Sequence, residues 1–206
     1  MRDGSVAEDA RERVTLLSSD GAAIGSDSKV AAHNEATPLH LAFSLFLFDG
    51  LGRTLVQRRA ESKRTWGGVW SNACCGHPSP GESLTVAVRR RAEYELGLTG
   101  IRPILALPDF RYRACWNGIW ENEVCPVFVA VCSNAPSPNP AEVREVAWVE
   151  WADFCRASAH PHNTPFANFT PWSLLEVAQL KDHPILDKVL KLARRNRQPQ
   201  PEGDHA

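Results

Sequence analysis

The sequence predicts a single mixed α/β domain of the α+β type, with β-sheet layers flanked by helices. Three observations carry that prediction. LHLAFSLFLFD is an unbroken apolar run, the middle of the chain alternates as strands do, and GESLTVAVRRRAEYELG has a clear helical stripe. At 206 residues the chain can bury one sizeable core and still carry extensions.

Taken in order, residues 1–28 form an N-terminal extension whose first twelve residues are charged and weakly patterned, hence expected to be partly mobile. LHLAFSLFLFD is too apolar to be half-exposed and reads as a buried strand. Asp49-Gly50 opens the turn DGLG and TLVQRR returns, so residues 39–59 read as a hairpin. In the helix, Leu84, Val88, Ala92 and Leu96 share one face, and Gly97 is placed to stop it. WENEVCPVFVAVC reads as a strand in which Pro126 disfavours full pairing. SNAPSPNPAE is a proline-rich loop and VREVAWVEW another strand. PWSLLEVAQL opens a helix expected to run to about Arg195. The folded domain therefore spans 29–194, and residues 195–206, RNRQPQPEGDHA, read as a disordered tail.

Composition narrows the function classes. A formal net charge of -1 argues against general nucleic-acid binding, so an anionic ligand would need a local basic cluster. No apolar run approaches the ~20 residues that cross a bilayer. The first residues, MRDGSVAEDARERV, lack the apolar core of a secretory signal. The six cysteines show no C-x-x-C spacing, which disfavours a zinc knuckle or disulfide framework and favours the reducing cytoplasm.

Several segments could carry chemistry. Within SNACCGHPSPGE, the run Cys74-Cys75-Gly76-His77 reads as a metal clamp, a nucleophile with its base, or a loop that happens to contain sulfur. In Trp120-Glu121-Asn122-Glu123 the two glutamates fall on one side of a strand. There they are either solvated at an edge or bound to a cation. His33, His40 and His77 flank strand and loop starts, whereas His160, His162, His183 and His205 read as surface residues. Three imidazoles with Glu121 and Glu123 would suit Mn²⁺ or Mg²⁺, or else Zn²⁺, though spacing alone does not establish that they converge.

From Gly76 the chain runs through Glu82 and Arg90 to Glu95, Gly97 and Leu98, a pattern that resembles the Nudix box. Arg91 and Tyr94 replace two of that motif's glutamates. Losing them weakens the case for hydrolysis, which needs several carboxylates to hold metal and orient water. Glu95 can still share a Mg²⁺ bound mainly by ligand phosphates. Arg91 lies one turn before Glu95, and the plain alternative is a surface ion pair.

The segments KVAAH, LVQRRAESKRTWGGVWSNACCGHP, PDFRYRA, ENEVCPVF and TPWS, together with those above, resemble the type 1 isopentenyl-diphosphate delta-isomerase family from about Lys29 to about Ala178. The resemblance implies a Nudix-like fold that isomerises instead of hydrolysing. It implies metal ligands at His33, His40, His77, Glu121 and Glu123, catalytic groups at Cys75 and Glu123 with Tyr112 in support, and a substrate-bound magnesium at Glu95. Lys29, Arg59, Lys63 and Arg91 would take the diphosphate, and Trp172 would face the hydrocarbon. Departures are small: Cys74 precedes the catalytic-type cysteine, and Gly67 stands where proline is found. The implied protein is a cytoplasmic monomer or weak homodimer acting on a small-molecule diphosphate, with no nucleic acid or membrane partner. The competing expectations are a Nudix diphosphohydrolase acting on a nucleotide-type substrate and a non-catalytic binding domain.

Overall fold

The computed structural model describes residues 12–159 and 168–196. The first eleven residues, His160, His162 and His205, and the residues beyond Asn196, for which mobility, surface positions and a tail were expected, lie outside the described residues.

The elements in chain order are β1 (Arg13–Leu17), β2 (Ala23–Ser28), α1 (Lys29–Ala32), β3 (His40–Leu41), β4 (Phe43–Phe48), β5 (Arg53–Arg59), β6 (Trp70–Ser71) and β7 (Cys74–Gly76). They continue with α2 (Leu84–Leu96), β8 (Ile104–Leu107), β9 (Arg111–Trp116), β10 (Ile119–Val124), β11 (Val127–Val131), β12 (Val143–Glu150), α3 (Trp151–Ala159), α4 (Pro171–Leu180) and α5 (Pro184–Asn196).

Two sheets organise the chain. One has the order β2-β1-β3-β10-β9. The other runs β12-β5-β4-β11-β8, with β6 beside β5 and β7 beside β4. All six residues of β4 are buried. Phe43, Leu45 and Leu47 pack on Ala87, Val88, Ala92 and Leu96 of α2, while Phe46 and Phe48 join Phe154, Val177 and Leu180 from α3 and α4. Covering both faces removes any solvent-facing alternation, so this strand reads as a continuous apolar run. Each such side chain contributes roughly 1.5–3 kcal/mol through burial. Helix α2 ends as expected: Gly97 takes the left-handed conformation at φ 65°, and its N–H turns back to the Ala92 and Glu93 carbonyls.

Three expectations need correction. LHLAFSLFLFD and WENEVCPVFVAVC are each two strands, because each segment leaves one sheet and enters the other. The chain crosses at Ala42 and again at Cys125-Pro126, and the crossings lie side by side. The Ala42 N–H donates to the Val124 carbonyl at 2.9 Å, and the Ser44 N–H donates to Pro126 at 3.1 Å. Pro126 has no N–H to lose, which suits a break in the ladder.

The C-terminal helix is likewise two helices, since Pro184 cannot continue α4 and instead opens α5 after Lys181–His183. Its last turn includes Arg195 and Asn196, residues assigned above to the tail. Residues 13–28, set apart there as an extension, form a hairpin whose β1 pairs with β3 through Leu16 and His40. No helix among the described residues is long and apolar enough to cross a membrane.

Candidate active site and metal centre

The sheet crossing builds the site. β3 and β10 run parallel with His40 opposite Glu123, and β9 sets Tyr112 opposite Glu123 on the other side. Glu121 and Glu123 are both buried on β10, as their i, i+2 spacing requires. His33 caps α1, and His77 follows β7. The three imidazole centroids lie 4.8–5.4 Å apart.

Two of those rings have fixed tautomers. His33 Nδ1 meets the Lys29 carbonyl at 2.7 Å and His40 Nδ1 meets the Pro38 carbonyl at 2.9 Å. A carbonyl only accepts, so each Nδ1 carries the hydrogen and each Nε2 presents a lone pair. His33 Nε2 lies 2.8 Å from Glu121 Oε2, and His40 Nε2 lies 3.5 Å from Glu123 Oε1. Acceptor facing acceptor at these distances repels unless positive charge lies between them. The buried His40 Nε2 and Glu121 Oε2 have no hydrogen-bond partner.

The buried groups also perturb one another's charge states. Burial pulls the His77 imidazolium down to about 4, so the ring is neutral at ordinary pH. Burial also disfavours a charged His33, but the Glu121 carboxylate outweighs it and moves that group upward. Burial pushes Glu123 up, yet the neighbouring His40 and His77 rings outweigh it and hold it well below the usual carboxylate range. One ligand atom from each of His33, His40, His77 and Glu123 lies within 4.8 Å of all the others. Three clustered imidazoles, two buried carboxylates and unpartnered lone pairs fit a divalent cation.

Cys74 and Cys75 part company on β7. Cys74 is fully buried against α2, whereas Cys75 turns toward the opposite face and the cavity. Gly76 allows the close approach, because a Cβ there would sit 3.0 Å from Arg91 Cγ. The Cys75 S–H donates to Asn72 Oδ1 at 3.1 Å, and Ser44 Oγ lies 3.4 Å from the sulfur. Burial pushes the thiol up to about 12. Trp172 packs edge-on against Trp66 at 5.0 Å and lies 5.5 Å from Tyr112. Of the tryptophans, only Trp172 lines the cavity; Trp66 backs it.

The cations meet carboxylates. Lys29 Nζ and Arg91 Nη1 hold the two oxygens of Glu12 at 2.7 and 2.9 Å, while Glu142 takes Lys63 at 2.7 Å and Arg91 at 3.0 Å. Arg91 and Glu95 pair at 2.6 Å. Both are buried, so this is an interior ion pair and not a surface one, and Gln57 donates to the other Glu95 oxygen at 3.1 Å. Arg59 makes no ion pair among the described residues: it donates to the Thr65 carbonyl and stands 5.9 Å from the Trp172 ring centre. Every site residue named from the sequence lines one cavity of about 90 Å³ except His40, which is fully buried. Glu12, Glu142, Asn72, Ser44 and Glu176 escaped sequence reasoning.

Burial raises Glu12, but Lys29 and Arg91 outweigh it and bring the group down to about 2. A depressed carboxyl contributes stability that is complete above its unfolded value and is lost on acidification toward the folded one. Glu12→Gln should therefore lose about 1–3 kcal/mol less stability than wild type between pH 4.5 and pH 2, read from denaturant midpoints at stepped pH.

The Nudix domain model matches residues 38–173. The solved structure of DR0079 from Deinococcus radiodurans aligns with a TM-score of 0.60 at 19% identity, covering 82% of this chain and 98% of that one. The MutT protein from Methanosarcina mazei aligns at 0.52 and 19% identity over 78% and 97%. The fold is that of the Nudix class. Within that class, the chain is 50% identical to the isopentenyl-diphosphate Delta-isomerase of Frankia alni, over 82% of this chain and 85% of that protein. It is 51% identical to the one from Clavibacter sepedonicus, over 82% and 87%. The chain belongs to the isopentenyl-diphosphate Delta-isomerase family.

Proposed function

We propose that this chain interconverts isopentenyl diphosphate and dimethylallyl diphosphate, with Cys75 and Glu123 as its acid/base pair. The observation that carries the reading is one cavity lined by a thiol and a buried carboxylate, with a cluster of cations at the same cavity. Moving the double bond adds a proton at the terminal carbon and removes one from C2. An unactivated alkene is a weak base, so the transition state has tertiary carbocation character. Cys75 and Glu123 exchange roles between the forward and reverse directions, and positioned proton transfer of this kind contributes ~10²–10⁴-fold.

Tyr112 stands opposite Glu123 in the strand pair and keeps its own proton, because burial and that carboxylate raise it well above the usual phenol range. The Trp172 face stabilises the developing cation, a contact worth roughly 2 kcal/mol in a dry site. Lys29, Arg59, Lys63 and Arg91 receive the diphosphate, while Glu12 and Glu142 hold three of these cations in place before it arrives. His33, His40, His77, Glu121 and Glu123 would hold Mn²⁺ or Mg²⁺, or else Zn²⁺, and Glu95 would share a Mg²⁺ that enters with the diphosphate. A divalent ion supplies positive charge that anchors the Glu123 carboxylate and lowers its basicity. The six free cysteines support a reducing, cytoplasmic setting.

Incubation with isopentenyl diphosphate and Mg²⁺ should yield dimethylallyl diphosphate without inorganic phosphate. Phosphate release would replace this reading with a Nudix diphosphohydrolase. Arg59→Ala removes a cation that pairs with no carboxylate among the described residues, so KM should rise ~10–100-fold with kcat changed far less, the size expected for charged hydrogen bonds. Steady-state kinetics on isopentenyl diphosphate checks it.

A further inference from the structure

Behind the cavity lies a group that the mechanism above does not use. Glu176 is fully buried on α4, one turn past Trp172, and neither of its carboxyl oxygens has a hydrogen-bond partner. Burying an unpartnered carboxylate costs several kcal/mol, so the group is kept as a neutral acid. Burial accordingly pushes it well above the usual carboxylate range, and Glu123 adds to the effect. A glutamate in an apolar slot of PWSLLEVAQL contributes nothing to packing that leucine would not.

Its link to the thiol runs through Ser44. The Ser44 hydroxyl is the polar side chain that acts on the Glu176 carboxyl, although the two stand outside hydrogen-bond geometry in this structure. That same Ser44 Oγ lies 3.4 Å from Cys75 Sγ and 3.6 Å from Cys125 Sγ. On its other side the Cys75 S–H is committed to Asn72 Oδ1 at 3.1 Å. The Asn72 amide cannot turn, because its Nδ2 donates to the Leu45 and Cys74 carbonyls, each at 3.2 Å. With the thiol hydrogen fixed, the sulfur can only accept, and Ser44 is the donor within reach.

We propose that Glu176 is a positioning residue that acts through Ser44, directly or over one bound water, to aim the Ser44 hydroxyl hydrogen at Cys75 Sγ. A neutral carboxyl donates its own hydrogen to Ser44 Oγ, which frees the Ser44 hydrogen for the sulfur. An ionised or absent carboxyl reverses the chain, and the serine hydrogen leaves the sulfur. The proposal rests on Cys75 being half of the acid/base pair.

The test compares Glu176→Gln, Glu176→Met, Ser44→Ala and Cys75→Ala with wild type, by steady-state kinetics on isopentenyl diphosphate. Glutamine still donates to Ser44 and should keep kcat within ~3-fold of wild type. Methionine fills the slot without a donor and should lower kcat ~5–10-fold at unchanged KM, the size of one lost hydrogen bond. Ser44→Ala should lose the same factor, and adding Glu176→Met to it should cost nothing more. A packing role predicts instead that glutamine and methionine behave alike. Wild-type kcat in Glu176→Met, or equal losses in the two Glu176 variants, overturns the proposal. Should Glu176→Met fail to fold, wild-type kcat in Ser44→Ala overturns it. Full turnover by Cys75→Ala removes the underlying assignment of Cys75, whereas an inactive Cys75→Ala beside a normal Glu176→Met removes this inference alone.

Discussion

Cys75→Ala is expected to lower turnover ~10²–10⁴-fold with little change in fold stability, because it deletes one proton carrier and leaves the diphosphate cations in place. The contrast with its neighbour makes the test specific. Cys74 is fully buried on the α2 face, so Cys74→Ala removes packing and not chemistry. That change should cost about 1 kcal/mol of stability, or roughly 2–4 °C in Tm, while kcat stays near wild type. The two residues are adjacent in sequence and oppose one another across β7, so a general disturbance of the loop would affect both variants similarly. Paired kcat and thermal midpoint measurements separate these outcomes. Wild-type kcat in Cys75→Ala would defeat the acid/base assignment, since Glu123 would then lack a partner across the cavity.

The legible parts of the fold were those with a local physical cause. β4 gave a continuous apolar run because both its faces are covered, and α2 carried both a stripe and a left-handed terminator at Gly97. The crossings at Ala42 and Pro126 were not legible as sheet changes. Which sheet a strand joins depends on distant partners, and each crossing is made beside the other. The hairpin of β1 and β2 was missed for a related reason. β2 is largely exposed and has no apolar period, so its place is set by pairing to β1.

The same division runs through the site. Glu121 and Glu123 share a face by strand geometry, which two-residue spacing reveals. That His33, His40 and His77 come within reach of them rests on motif order, because the three rings arrive from separate elements. Glu12 and Glu142 could not be foreseen, since each meets Arg91 across a long stretch of chain. Glu176 did leave a trace. A single charge in an otherwise apolar helix, four residues after Trp172, marks a buried position that needs an explanation.

Glu123→Gln should abolish turnover and detach the protein's stability from its metal, and the two losses have different physical origins. The amide keeps the shape of the side chain but carries no charge and cannot exchange a proton with substrate. Turnover should therefore fall by at least the ~10²–10⁴-fold of a lost acid/base group. As a ligand, the amide oxygen is a poor substitute for a carboxylate that faces His40 and His77 at 3.5 and 3.2 Å. Even outer-sphere losses cost ~10–100-fold in metal affinity, so the ion should be largely lost on dialysis. A wild-type protein with metal at about 100 times its Kd gains about 2.7 kcal/mol, or roughly 5–10 °C, and a chelator should remove it. The same chelator should barely move Glu123→Gln. Without metal, the variant should be at least as stable as wild type, because Glu121 and Glu123 no longer bury two like charges together without a cation. Metal content per chain, thermal midpoints with and without chelator, and turnover test each part. Equal chelator shifts in both proteins would show that the ion binds elsewhere and that the histidine cluster is not its site.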